Sequence, residues 1–135
     1  MAVDIQSLQS SADGLFATLA NNSDEVNKRV CISRSYYAIF HIIKQYIEQH
    51  LAQYPMGKDC AFKTGVHNQI YLILADFAQQ TNDKSIKKLA LQFKDFHTKR
   101  CQSDYELEQD ISDYDVQMAK KYYENIPNLL NDLKP

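Results

Sequence analysis

The sequence predicts an all-α protein, an antiparallel helical bundle of four principal helices plus a shorter fifth helix, and three observations carry that prediction. Only three glycines and three prolines occur among 135 residues, which leaves few of the residues that punctuate helices and open loops. Apolar side chains recur at i, i+3, i+4 and i+7 through most of the chain, the period of a helix with one buried face. No segment alternates apolar and polar residues long enough to make a strand, and no repeat or low-complexity tract breaks the pattern. The length fits one domain, residues 1–135, large enough to bury its own core.

Each helix has its own justification. From about Val3 to Ala20, the residues Ile5, Leu8, Ala12, Leu15, Phe16 and Leu19 mark one face, with Gly14 weakening the segment by about 1 kcal/mol relative to alanine. Asn21-Asn22-Ser23 makes a turn, and Ser23, Asp24 and Glu25 suit a helix start, where carboxylates meet the positive end of the dipole. The second helix reaches about Ala52. Ile32, Ile39, Ile43 and Ile47 gather on one side of it, and Val26, Val30, Tyr37 and Phe40 widen the apolar surface, which places it in the middle of the bundle.

Gln53 to about Gly65 contains the main breakers and forms the longest connection. A third helix from Val66 to about Gln79 presents Ile70, Ile73, Leu74 and Phe77, and Thr81-Asn82-Asp83 turns the chain. The fourth, from about Lys84 to Asp104, sets Leu89, Phe93, Phe96 and Arg100 in a narrow arc. Its lysines at 84, 87, 88, 94 and 99 read either as a solvated face or as a surface that steers RNA phosphates. An acidic connection follows, and Ser112 with Asp115 has the spacing of a capping box. The last helix begins near Asp113, and Pro127 is expected to kink or interrupt it.

Composition narrows the function. A net charge of −2 argues against attachment to nucleic acid through bulk charge. Cys31, Cys60 and Cys101 are odd in number and lack metal-ligand spacing, so free thiols in a reducing cytosol are expected. No apolar run reaches the ~18 residues of a membrane span, and the start lacks a signal-peptide pattern. A cytoplasmic protein without membrane association is the expectation. Phosphate-binding glycine loops, a Gly-x-Ser-x-Gly elbow, Cys-x-x-Cys pairs and His-Glu-x-x-His are all absent from the sequence, which removes most hydrolase and redox classes and implies neither cofactor nor metal.

Two constellations hold chemistry. Arg34 and His41 stand seven positions apart, so on a helix they share one stripe with Ala38 between them. A permanently charged guanidinium could hold a phosphate there while imidazole moves a proton. On spacing alone the same stripe reads more readily as a seam, with His41 at an interface and Arg34 paired to a carboxylate. The second constellation is His97, Arg100, Asp104 and Tyr105. Arg100 and Asp104 at i, i+4 make an ion pair, yet Arg100 also lies on the core-facing arc, where a guanidinium needs a fixed partner or a ligand. Tyr36 and Tyr37 flank the first group. His50 and His67 read as loop or helix-end residues.

At these residues the chain resembles a known family. Ser33-Arg34-Ser35-Tyr36-Tyr37-Ala38-Ile39-Phe40-His41 is similar to the Arg-x-Tyr-Tyr-Ala-x-Phe-His helix of small prokaryotic members of the HEPN superfamily. Arg100-Cys101-Gln102-Ser103-Asp104-Tyr105 resembles their Arg-x-x-Ala-Asp-Tyr run, with Ser103 in place of alanine, and the likeness extends over roughly residues 5 to 132. The resemblance implies a helical bundle that binds RNA or a nucleotide and commonly dimerises. Many members are metal-independent endoribonucleases of toxin–antitoxin, defence or RNA-processing systems, with an Arg-x(4–6)-His pair in the cleft between two copies.

On that resemblance Arg34 and His41 are the catalytic candidates, and Tyr37, Arg100, Asp104, Tyr105 and His97 the substrate-binding ones. The better-known toxins carry the pair on a later helix, whereas here the later helix has His97 before Arg100. Two functions therefore stand side by side. One is a toxin in which the RNA 2′-hydroxyl attacks its phosphodiester, partnered by a nucleotidyltransferase-type antitoxin. The other is a non-catalytic nucleotide-binding or partner-binding module that works with a minimal nucleotidyltransferase. A helical interaction protein with Arg34 and His41 at a dimer seam is the plainest alternative.

Overall fold

A computed structural model describes residues 4–133 and contains five α-helices, with no strand among the described residues. They are α1 (Ile5–Leu19), α2 (Glu25–His50), α3 (Val66–Thr81), α4 (Lys84–Tyr105) and α5 (Asp113–Asp132). A single 3₁₀ turn at Gly57–Asp59 lies in the connection between α2 and α3. The helices run from 15 residues in α1 to 26 in α2. No described helix is long and apolar enough to cross a membrane.

The helix starts follow from side chains that accept orphan backbone N–H groups. Asp24, rather than the neighbouring Ser23, caps α2 by accepting the Asn27 amide at 2.8 Å. Asp83 caps α4 through the amides of Ser85 and Ile86. The Ser112–Asp115 capping box forms as its spacing predicts, with both reciprocal bonds present. Asn82 closes α3 in the left-handed region at φ 53°, a conformation asparagine tolerates better than most residues. Pro127 does not interrupt α5, which continues to Asp132.

α2 is the hub, packed against α1, α4 and α5, while α3 lies mainly on α4. The expected isoleucine side of α2 is its deepest face: Ile32, Ile39, Ile43 and Ile47 have no exposed surface. Tyr36, Phe93, Phe96, Leu89 and Ile126 join them in one continuous core.

Two devices hold the connections in place. Buried Gln69 turns its amide into the chain between α2 and α3. Its Oε1 accepts the Gly57 amide at 2.9 Å, and its Nε2 donates to the carbonyls of Gly57, Phe62 and Thr64. The other device is the first turn of α2. Arg29 donates to the carbonyls of Gln102 and Ser103 at 3.2 and 3.0 Å and also to that of Gln109, so a cation sits at the negative end of α4. Glu25 accepts the Ile111 amide, and Lys28 pairs with Asp113 at 3.0 Å. The acidic connection after α4 is thereby clamped to the start of α2.

The lysines of α4 divide. Lys84, Lys87, Lys88 and Lys94 are exposed. Lys99 is not part of a solvated face: its side chain is 12% exposed and lies 3.3 Å from Asp115 and 3.7 Å from Asp95.

Candidate functional site

The middle of α2 presents chemistry on two flanks. On the flank toward α3 and α4, Tyr36 is fully buried and its ring lies among Phe93, Phe96 and His97 at centroid distances of 5.6, 5.4 and 5.6 Å. Its hydroxyl is 2.6 Å from His67 Nδ1. Burial pushes the phenol far above its usual range, so it stays protonated at neutral pH and shares with Nδ1 a hydrogen bond whose direction follows the imidazole tautomer. His67 in turn stacks on His97, with ring centroids 5.1 Å apart and planes within 4°. Burial, then the charges of His97, Arg100 and His41, lower His67 to about 4. Burial and Arg100 lower His97 as well. Both imidazoles are neutral at pH 7.

Arg100 completes this flank. Its Nε lies 2.8 Å from Asp104 Oδ2, with the two side chains 18% and 26% exposed. The Nε–H is not directed along that line, so the contact is chiefly electrostatic. Ser33 adds a hydroxyl bond to the same carboxylate oxygen at 3.2 Å. The guanidinium also lies over the rings of Tyr36 and Tyr105 at 5.9 and 5.6 Å, within reach of a cation–π interaction. The expected half-buried Arg100–Asp104 pair is therefore present, and it ties the end of α4 to α2. Cys101 Sγ stands 3.5 Å from His97 Nε2. Cys31, Cys60 and Cys101 are free thiols, and burial raises Cys31 to about 12.

The opposite flank is open. Arg34 is exposed, and among the described residues no carboxylate reaches it as an ion-pair partner. His41 is half-buried one stripe-length further on, roughly 10 Å along the helix axis at 1.5 Å per residue. Tyr37, 42% exposed, sets its ring 4.9 Å from that of His41. Burial, then the charge of Lys44, lower the His41 pKa. His41, Tyr37 and Lys44 line a groove of about 410 Å³ against Ile5 and Leu8 of α1. Ala38 is fully buried, so the Arg34/Ala38/His41 stripe is not a continuous buried seam: its middle is sealed and its two ends reach the surface.

The sequence candidates thus form two groups. His97 and Arg100 lie against Tyr36, and Asp104 and Tyr105 lie against Arg100. Tyr37 and His41 are in contact, and Arg34 stands apart on the same helix. Phe40 links the groups, with its ring 5.1 Å from His41 and 4.3 Å from His67. His67 is the residue that the reading as a helix end missed. It shares one arc with Ile70 and Leu74, three and seven positions later and both fully buried, and that periodicity was a legible sign that it points inward. Among the described residues no group of three or more His, Cys, Asp or Glu side chains is arranged to hold a metal ion.

No protein-family model, curated protein or solved structure matches the chain.

Proposed function

We propose that the chain is an RNA-binding protein of HEPN type, an antiparallel helical bundle that pairs as a homodimer in the cytoplasm and cleaves single-stranded RNA without a metal. The observation that carries this reading is the open flank of α2, where an unpartnered guanidinium and a neutral imidazole share one stripe. An exposed arginine with no carboxylate partner is free to take a phosphate. An imidazole kept neutral by burial is a base at physiological pH. Val26 and Val30, 67% and 38% exposed, continue the same surface with Tyr37. A second copy covering these residues would set two Arg34–His41 pairs on either side of one RNA strand.

In the reaction His41 takes the proton of the 2′-hydroxyl, and the 2′-oxygen attacks the adjacent phosphorus. The phosphorus–5′-oxygen bond breaks, leaving a 2′,3′-cyclic phosphate, and the 5′-oxygen departs with the proton that His41 took from the 2′-hydroxyl. Arg34 offsets charge on the pentacoordinate phosphate. Positioned proton transfer contributes about 10²–10⁴-fold, so His41→Ala should lower cleavage of a labelled oligoribonucleotide by that order. Cleavage that persists undiminished in both His41→Ala and Arg34→Ala would remove this assignment.

The second reading is a non-catalytic nucleotide-binding or partner-binding module working with a minimal nucleotidyltransferase. It is supported by the inner flank, where Arg100 is already paired with Asp104 and His67 with Tyr36. In this reading those contacts serve the fold, and the groups bind without reacting. Binding of an oligoribonucleotide without its cleavage by the wild-type protein selects this second reading.

A further inference from the structure

The seam between α3 and α4 carries a regular series of facing side chains that starts at the inner flank of α2 and runs on beyond it. At one end His67 of α3 stacks on His97 of α4. One turn along, Lys94 holds its ammonium 4.7 Å over the ring of Tyr71. Beyond that pair the seam opens into a groove of about 420 Å³, floored by Ala75, Ala78, Ala90 and Leu91 and edged by Lys84 and Lys87. Leu91 is 51% exposed, an apolar side chain offered to solvent on the same stripe of α4 as Lys84, Lys87 and Lys94. Asp83 also lines the groove and keeps its negative charge while capping α4 through the amides of Ser85 and Ile86. Lys84, Lys87 and Lys94 outnumber it, so the balance of charge along the seam is positive.

We infer that this seam is an extended binding track for single-stranded RNA, with the backbone phosphates on Lys84, Lys87 and Lys94 and the bases against Leu91 and the alanine floor. This inference rests on the RNA reading above and assigns where the strand lies beyond the reacting phosphate. From Lys84 to Lys94 the helix rises roughly 15 Å, which is more than one nucleotide needs, and the series ends at the histidine stack, where His67 meets Phe40, whose ring also contacts His41. Interleaved cations and flat apolar surface are what a single strand requires, because the phosphates are charged and every base has a face to cover. A net charge of −2 is no obstacle, since Lys84, Lys87 and Lys94 fall on one stripe of α4.

The test compares two uncleavable 2′-O-methyl probes, a fluorescein-labelled oligomer of about ten nucleotides and a labelled dinucleotide, binding to the full chain at several salt concentrations. The lysines are exposed, so the Lys84→Ala/Lys87→Ala and Lys94→Ala variants should keep the helical circular dichroism of the wild type. The expected result is a weakening of about three- to tenfold per variant for the oligomer, with dinucleotide affinity unchanged. The slope of log K against log salt should fall by about 0.7 for each lysine removed. Lys94→Arg should retain oligomer binding.

If both probes bind and the variants match the wild type, the track is wrong and the site on α2 stands. If neither probe binds the wild type, the RNA reading fails and the track falls with it. An equal loss for both probes would make the lysines part of the reacting site, and tighter binding of a labelled oligoglutamate peptide than of RNA would make the groove a protein-docking surface. Either result overturns the track.

Discussion

The two flanks of α2 carry the same residue types and use them in opposite ways. On the inner flank each group faces a partner supplied by the fold: Arg100 lies against Asp104, Tyr36 is bonded to His67, and His67 stacks on His97. On the outer flank, among the described residues, Arg34 meets no carboxylate in an ion pair, and His41 lies against the rings of Tyr37 and Phe40 at the edge of an open groove. Charge and titration chemistry do not separate these groups, since both offer a guanidinium and neutral imidazoles. Partnership does. A buried polar group whose partners are supplied by the fold stabilises the fold, whereas one left open near the surface has its interaction free energy available to a ligand.

The largest effect should come from breaking the inner flank at its centre. Tyr36→Ala removes a fully buried ring packed against Phe93, Phe96 and His97, and cavities of that kind cost about 3–5 kcal/mol. Tyr36→Phe keeps the ring and loses only the bond to His67, at about 1 kcal/mol. Urea denaturation of both variants measures the pair. A cost below about 1 kcal/mol for Tyr36→Ala would mean that this flank is not part of the core.

Arg100→Ala comes next. It leaves the Asp104 carboxylate with the Ser33 hydroxyl as its remaining side-chain partner. Breaking a fully buried pair costs about 3–5 kcal/mol, and the residual exposure of these side chains, 18% and 26%, lowers the expectation to about 2 kcal/mol. The same denaturation experiment applies. Asp104→Asn should cost less than Arg100→Ala, because Ser33 retains a partner and the arginine can still lie over Tyr36 and Tyr105.

Much of this arrangement was legible in the sequence. The low glycine and proline content and the helical period gave five helices with ends near those found, because caps and breakers act locally: Ser112 and Asp115 suffice for their own box. The Arg100–Asp104 pair was legible for the same reason, being one turn apart on one helix. Gln69 was not. Its value lies in the Gly57, Phe62 and Thr64 backbone groups that it satisfies, and no local pattern encodes the path of a connection. Arg29 is the same case over a longer span, reaching carbonyls 73 and 74 residues away. Which of two arginine–histidine groups stays open is likewise a tertiary fact, decided by where Asp104 and His67 arrive.

Acid should sharpen the comparison, with a smaller effect. His67 is held near 4 in the folded protein, against about 6.5 for an unperturbed imidazole. Between those values the unfolded chain binds more protons, so stability falls as pH falls. The contribution is complete above about pH 6.5 and is gone once the pH has dropped through about 4. Partial solvation of the ring limits it to the order of 1 kcal/mol, or a drop in Tm of roughly 3–5 °C between pH 7 and 4.5. His67→Gln should flatten the histidine part of the profile. The decline below pH 4 should survive, since Asp115 is held low: its partial burial is outweighed by hydrogen bonds from Ser112 and by Lys99.

The smallest effect on stability should come from the outer flank, and that is what makes it informative. Arg34 is exposed and has no ion pair among the described residues, so Arg34→Ala should change the unfolding free energy by no more than about 0.5 kcal/mol. If the open guanidinium exists to hold a phosphate, the same variant should nonetheless weaken RNA binding or cleavage at least tenfold. Arg34→Lys should recover only part of the loss, because an ammonium keeps the charge but not the planar two-pronged fork. A stability loss near that of Arg100→Ala, with RNA affinity intact, would place Arg34 in a structural role and erase the difference between the flanks. A neutral effect on both readouts would leave the charge without a use in this chain and move the search for the phosphate to the lysines of α4.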